Sequence, residues 1–232
     1  MDMRLECRRL TFRYPRSEKY VFQDLSIHLA EPGFHALFGP SGVGKTSFAR
    51  ILTGDLHPEK GEVITEGIER PAYTYNLERL PGWSAIGRHL DKVTPEAENR
   101  RKQALVDFFG IRKCMDQRFS QLSLGQKNRI NLIRYLLQGF QLLILDESLA
   151  NVDEITRERI LLNMKAMFPD TLFLYISHNV VEVAKFCKKI LVFRGPRKNP
   201  QVAVVEGHDL QKGGETDPEK LDRTLLEIMN AS

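Results

Sequence analysis

Cysteine is scarce: three residues in 232, Cys7, Cys114 and Cys187, stand singly with no C-x-x-C pair. That argues against a disulfide framework or a zinc-ligand set and points to free thiols in a reducing compartment. Long apolar runs are missing as well; no stretch approaches the ~18 residues needed to cross a bilayer. The opening Met1-Asp2-Met3-Arg4 has none of the apolar core of a secretory signal. The expectation is a soluble or peripheral protein of the cytosol. No charge dominates: 34 Lys+Arg against 30 Asp+Glu leaves +4. This is too little to argue for nucleic acid, though compatible with anionic ligands or the cytoplasmic face of a membrane. Internal repeats and low-complexity tracts are also lacking. The 232 residues suffice for one large domain or two small ones around a sizeable core.

What is present starts with Gly39-Pro40-Ser41-Gly42-Val43-Gly44-Lys45-Thr46, which satisfies G-x-x-x-x-G-K-[ST] at every fixed position. An apolar run, Phe34-His35-Ala36-Leu37-Phe38, precedes it as a buried strand, and residues 45–52 follow as a helix. That strand–loop–helix setting is what a phosphate-binding loop requires. Its glycines let backbone N–H groups converge on one anion at the positive end of a helix. Lys45 is then expected at the β/γ-phosphates, the Thr46 hydroxyl on Mg²⁺ and Ser47 at the α-phosphate. A ligand-free Gly-rich turn is the weaker alternative.

Around this loop, strand and helix patterns alternate. Residues 5–12 and 20–29 read as extended, with turns at Tyr14-Pro15-Arg16-Ser17 and Glu31-Pro32-Gly33. Tyr14 is placed either to stack on an adenine ring or to cover a sheet edge. Glu62-Val63-Ile64 is a short strand, and residues 70–82, broken by Pro71 and Pro81-Gly82, read as irregular. Residues 95–109 read as a charged helix with Ala97, Ala104, Leu105, Phe108 and Phe109 on one side; its Asn99-Arg100-Arg101-Lys102 cluster is most simply a solvated face. Ser123 is placed to cap a helix over 127–137, so Gly125 lies at a helix start, either a second anion-facing nest or an ordinary capped end.

Leu142-Leu143-Ile144-Leu145 reads as a central parallel strand buried on both faces. It ends in Asp146-Glu147, at the edge where open α/β sheets bind ligands. There Asp146 would hold Mg²⁺ through water and Glu147 would face the γ-phosphate. Residues 153–168 form a long helix, and 171–176 another buried strand ending at Ser177-His178. His178 either joins the same rim or is a satisfied structural residue. Residues 189–193 and 201–205 look like a hairpin across Gly195-Pro196, and 218–229 like an amphipathic helix with Leu221, Leu225, Leu226 and Met229 on one side.

Taken in this order, the features resemble the ATP-binding-cassette (ABC) ATPases over nearly the whole chain. Leu122-Ser123-Leu124-Gly125-Gln126 is similar to their Leu-Ser-Gly-Gly-Gln signature, Asp146-Glu147 to the end of their Walker B strand, and Asn151-Val152-Asp153 to their D-loop. His178 is similar to their switch histidine and Tyr14 to their adenine-stacking aromatic, which tips the choice at Tyr14 towards stacking. The resemblance implies an α/β fold: a P-loop NTPase core of mostly parallel sheet, a small antiparallel β subdomain and a helical insert at about 77–138, in one nucleotide-binding domain over 1–232. It also implies ATP and Mg²⁺ as cofactors and a two-fold, head-to-tail homodimer holding two ATP molecules. Each site would combine Tyr14, Gly39, Pro40, Ser41, Gly42, Val43, Gly44, Lys45, Thr46 and Ser47 of one copy with Ser123, Gly125 and Gln126 of the other. Thr46, Asp146 and the Q-loop residue would serve the metal, and Glu147, His178 and Lys45 would be catalytic, with Glu147 orienting or deprotonating the attacking water.

Three positions depart from the family pattern. Leu124 replaces the signature's first glycine, and Ser148 stands where a proline usually follows the catalytic glutamate. The Q-loop glutamine is missing: no glutamine occurs between Gln23 and Gln103, and alignment puts Asn76 there, one methylene shorter, reaching Mg²⁺ through a bridging water. The implied partners are a second copy and transmembrane permease subunits docking near residues 76–90, with no nucleic acid expected. Trp83, Ile86 and Leu90 are either docking contacts or core of the insert. The implied location is peripheral, on the inner face of the cell membrane. Leu80-Pro81-Gly82-Trp83 and the short C-terminal tail look most like nitrate/sulfonate/taurine-type importers. A soluble ABC ATPase of an assembly or repair complex is the alternative, and a phosphate-loop kinase or regulatory ATP switch a further one.

Overall fold

The structure is a computed structural model, and it describes residues 3–74 and 84–232. Asn76, Trp83 and the Leu80-Pro81-Gly82-Trp83 stretch lie outside the described residues. The chain divides into two compact units. The first comprises Met1–Tyr73, Phe140–Asp146 and Lys165–Ser232; the second comprises Thr74–Gly139 and Glu147–Met164.

In chain order the elements are β1 (Arg4–Phe12), β2 (Phe22–Leu29), β3 (Gly33–Phe38), α1 (Lys45–Leu52), β4 (Lys60–Glu66), β5 (Pro71–Thr74), α2 (Ile86–Val93), α3 (Asn99–Phe108) and α4 (Leu124–Leu136). They continue with β6 (Leu142–Asp146), α5 (Glu154–Met167), β7 (Leu172–Ile176), α6 (Val180–Phe186), β8 (Lys189–Phe193), β9 (Val202–Glu206) and α7 (Pro218–Ala231).

The first unit holds two sheets. β2-β1-β4 is antiparallel; β1 and β2 largely alternate buried and exposed residues as a one-sided sheet should, while β4, at the edge, is mostly exposed. The second sheet runs β5-β6-β7-β3-β8-β9. Its central strands β6, β7, β3 and β8 pair in parallel, and β9 closes antiparallel on β8. β6 and β7 read as unbroken apolar runs because both faces are covered; Leu142 to Leu145 and Leu172 to Leu174 expose nothing. Beneath α1, the rings of Phe22, Phe48 and Phe193 meet at centroid distances of 5.5–6.2 Å, edge-on or tilted. This aromatic floor supports the loop between β3 and α1.

Several local expectations are corrected. Residues 71–74 are a strand, not irregular; Pro71 is tolerated because it is the first residue of an edge strand. The 95–109 helix is broken into a 3₁₀ turn at Glu96–Glu98 followed by α3, and Ala97 is exposed. Lys102 is not on a solvated face: its ammonium is buried, donating to Asp91 Oδ1 at 2.7 Å and Asn99 Oδ1 at 2.8 Å. α2 and α6 escaped the sequence reading because each is only two turns long, too short for a clear period. In α2, Ile86 and Leu90 are fully buried, so they are core of the second unit and not docking contacts. α7 forms as expected, with its face partly misassigned: Leu221 and Leu225 are half-buried beside the buried Thr224 and Ile228, while Leu226 and Met229 are exposed. The inward stripe follows Thr224, whose hydroxyl donates to Glu206 O at 3.3 Å.

Candidate nucleotide site

Parallel register brings three strand ends of the first unit into one row. Leu37 of β3 pairs with Ile176 of β7, and Ile176 pairs with Asp146 of β6. Beyond that row lie the loop starting at Gly39, the Asp146 carboxylate, and Ser177-His178. This is the carboxyl edge of the sheet, where open α/β folds place their ligands.

The loop itself admits no side chain at two points. A Cβ on Gly39 would lie 2.5 Å from Phe193 O, and one on Gly44 would lie 2.6 Å from Val21 Cγ1 and 2.9 Å from the Phe22 ring. Both residues have positive φ, 138° and 112°, so glycine is required twice over. Gly44 is also the N-cap of α1; it offers no side-chain acceptor, and the first turn holds no acidic residue. The amides at that helix start are therefore not capped by a side chain of the loop, as a site for an external anion would require. Lys45 is buried, and its Nζ donates to Gly39 O at 2.7 Å and Pro40 O at 2.8 Å, which curls the ammonium over the loop.

Next to the loop, Thr46 Oγ1 donates to Asp146 Oδ2 at 3.1 Å. The Tyr73 hydroxyl donates to the same carboxylate oxygen. A hydroxyl and a carboxylate side by side are hard oxygen donors that suit Mg²⁺. Among the described residues no cluster of three or more His, Cys, Asp or Glu would cage a metal. A cation here would complete its shell with phosphate oxygens and water, as Mg²⁺ ordinarily does.

Tyr14 is 41% exposed. Its ring packs edge-on against Phe12 at 5.1 Å, and its hydroxyl lies 2.8 Å from the buried Ser47 Oγ. The ring is thus tethered to the start of α1 while keeping exposed surface. His178 is exposed between two anchored neighbours. Ser177 Oγ and Tyr175 OH both donate to Glu182 Oε1, at 2.8 and 2.6 Å. Asn179 donates its N–H to Ser177 Oγ at 3.2 Å and caps α6 by accepting from Glu182 N at 3.1 Å. Neither Tyr73 nor Glu182 was singled out from sequence. Asn179 followed three residues later by Glu182 is a helix-start pattern that could have flagged the second; a phenol bonded across to a neighbouring strand leaves no sequence signal.

In the second unit, Ser123 caps α4. Its Oγ accepts from Gln126 N at 3.3 Å while Gln126 Oε1 accepts from Ser123 N at 2.8 Å. This reciprocal box occupies the Gln126 side chain. Gly125 sits so close to the 147–153 turn that a Cβ would lie 2.3 Å from Asn151 O. Leu124 is 43% exposed. Glu147 is half-buried with a left-handed φ of 50°, a conformation uncommon outside glycine. Its carbonyl accepts from Ala150 N at 3.0 Å, closing the turn. Asp153 begins α5 by accepting from Thr156 N at 2.9 Å, and that backbone hydrogen bond holds its carboxyl below the usual range. The structure therefore brings the loop, Thr46, Asp146, Tyr14 and His178 into the first unit, and Ser123, Gly125, Gln126 and Glu147 into the second.

Residues 22–150 match the family described as ABC transporter. The chain is 32% identical over 200 residues to a nickel import ATP-binding protein of Pseudomonas putida, covering 75% of this chain and 72% of that protein. It is 29% identical over 202 residues to a taurine import ATP-binding protein of Pseudomonas aeruginosa, covering 81% and 76% respectively. Among solved structures it is similar to an ATP-binding subunit of an ABC transporter, with a TM-score of 0.76 at 20% identity over 97% of this chain and 99% of that one.

Proposed function

Since this chain belongs to the ABC transporter family and is an ATPase, we propose that it is the ATP-hydrolysing subunit of a membrane transporter, closing on a second copy of itself around two Mg-ATP. The observation that carries this reading is the Thr46–Asp146 pair beside a loop whose glycines, lysine and helix start suit a polyphosphate. We take the two units as parts of one nucleotide-binding domain over 1–232; of its helical insert, expected at about 77–138, residues 77–83 lie outside the described residues.

Tyr14 stacks on the base, and the amides of 39–46 with Ser47 take the phosphates. Lys45 exchanges its carbonyl partners for β/γ-phosphate oxygens. Thr46, and Asp146 through water, would hold Mg²⁺, with Asn76 as a further candidate through water; the cation would supply charge neutralisation on the phosphates. Glu147 orients or deprotonates the water, and His178 contacts the γ-phosphoryl group. Ser123, Gly125 and Gln126 of the second copy complete the site, so closure of the dimer gates turnover.

No described helix is long and apolar enough to cross a membrane. In this reading the chain works with transmembrane permease subunits, peripherally on the inner face of the membrane, as the import proteins it resembles suggest. The two relatives named above are import proteins for chemically unlike cargoes, a metal ion and an organic sulfonate, at 32% and 29% identity. Cargo choice accordingly resides in the other subunits.

Lys45→Ala should abolish ATP binding and phosphate release; unchanged affinity and turnover would refute the site. Glu147→Gln should bind ATP, stop releasing phosphate and elute as a dimer with ATP and Mg²⁺. A variant that stays monomeric while the wild type hydrolyses would refute the sandwich. Copurification with a polytopic membrane protein supports transport, whereas a soluble scaffold in its place supports the assembly-complex alternative.

A further inference from the structure

Asp146 Oδ2 is the meeting point of two hydroxyls. One is that of Thr46, at 3.1 Å, from the start of α1. The other is the phenol of Tyr73, from β5, the strand next to β6 in the sheet. The two donors differ in what holds them. Thr46 ends the phosphate-binding loop and is a predicted ligand of the cation, so its oxygen has a second task. Tyr73 has none. Its ring is 8% exposed and belongs to the main hydrophobic cluster of the first unit, and a buried phenol needs a hydrogen-bond partner for its hydroxyl. The ring is fixed by packing, with two side-chain torsions, and the hydroxyl is spent on the carboxylate.

Given Asp146 as the metal-binding carboxylate, we infer that Tyr73 is a positioning residue for that carboxylate: its hydroxyl sets the orientation in which Asp146 meets Mg²⁺. The inference rests on the reading of the site above and adds a residue to it. Metal ligands are ordinarily oriented by an outer hydrogen-bond partner, and loss of such a partner typically weakens metal affinity or activity about 10–100-fold. The Tyr73 ring is buried in the hydrophobic cluster and its hydroxyl meets Asp146, so its removal should be felt chiefly through that carboxylate.

The test is a fluorescent trinitrophenyl-ATP titration of the full chain, first in EDTA and then across a range of Mg²⁺ concentrations, for wild type, Tyr73→Phe, Asp146→Asn and the double variant. Tyr73→Phe should leave the metal-free Kd within about twofold of wild type and raise the Mg²⁺ midpoint about 10-fold. Its kcat should recover at saturating Mg²⁺, which separates a metal-positioning defect from a general loss of structure. In the Asp146→Asn background, Tyr73→Phe should change nothing further. An unchanged Mg²⁺ midpoint in Tyr73→Phe overturns the inference, and so does an effect of equal size in the Asp146→Asn background. If Asp146→Asn itself leaves the Mg²⁺ dependence intact, the reading of Asp146 fails, an outcome distinct from failure at Tyr73 alone. Should Tyr73→Phe melt well below the wild type, Tyr73→Met, apolar and of similar bulk, takes its place under the same criteria.

Discussion

Replacing Gly125 by alanine sets two effects of opposite sign against each other. Gly125 lies in the first turn of α4, where alanine should gain up to about 1 kcal/mol of helix propensity over glycine. The added methyl, however, would lie 2.3 Å from Asn151 O, where ordinary contact begins near 3.4 Å. One of the two backbones must move by about 1 Å, because the obstacle is a carbonyl and cannot rotate away as a side chain would. Overpacking costs typically about 1–3 kcal/mol, and a rigid partner puts this case in the upper half. The net effect is a loss of about 1–2 kcal/mol, or a melting point about 2–8 °C lower for a chain of this length. The turn that must yield runs from Glu147 to Asp153, and misplacing a catalytic group by about 1 Å can cost about 100-fold in rate. Phosphate release should therefore drop about 100-fold while nucleotide affinity, which belongs to the loop of the first unit, stays within about twofold. Scanning fluorimetry, a phosphate-release assay and a fluorescent-nucleotide titration read the three quantities. The exposed neighbour Leu124, changed to alanine, is the control for melting temperature. If Gly125→Ala melts higher than wild type and turns over within about threefold of it, propensity has won and the close-approach argument is wrong.

Two further outcomes follow from buried charge. His35 lies inside β3, and burial pushes its pKa down from 6.5 to about 4. As pH falls below 6.5 the unfolded chain takes up a proton that the folded chain refuses, so stability present at neutral pH is lost between about 6.5 and 4, by about 2 kcal/mol at pH 5. Urea midpoints at pH 7 and pH 5 check this: His35→Asn should remove about that much of the drop, and an identical drop in the variant would refute it. Lys165 buries its ammonium against Phe186 O at 2.9 Å, Leu210 O at 2.7 Å and Asp209 Oδ1 at 2.5 Å. Lys165→Met strands all three acceptors. Breaking such a pair costs about 3–5 kcal/mol, taken at the low end because Asp209 is partly exposed. Melting should fall by about 6–12 °C, and a change under about 3 °C would show that the ammonium contributes little.

How far the sequence could be read depended on whether a feature is local in the chain. Gly39 to Thr46, the Ser123 cap and the Leu142 to Asp146 strand each carry their whole signal within a few residues, and the structure places them as strand, loop, cap and helix start. The mostly parallel sheet was legible because strands buried on both faces drop the alternation of one-sided strands. The α7 face was partly misjudged because Leu226 and Met229 satisfy a helical period as well as Ile228 does, and only a tertiary bond from Thr224 to β9 decides which stripe turns inward. Lys102 was misjudged because its partner, Asp91, sits on another helix. The Tyr73–Asp146 bond spans 73 positions, and no window over a single sequence can see it.

The departures from the family pattern are better understood as compensated pairs than as isolated losses. Ser148 stands where the family has proline, and it is 6% exposed. A buried hydroxyl without a partner would cost about 1–3 kcal/mol. Its Oγ instead meets the hydroxyl of Thr74, itself 2% exposed. A proline would stiffen the turn after the left-handed Glu147 through its ring. The serine stiffens it through a side-chain tether to residue 74, which a proline could not offer. The two hydroxyls therefore bond each other, and substituting proline at 148 would remove that bond from Thr74 instead of restoring a lost function. Leu124 is the opposite case. Its side chain is exposed beside the tightly packed Gly125, so the fold of the second unit does not call for an apolar residue there, and nothing in the structure explains the leucine.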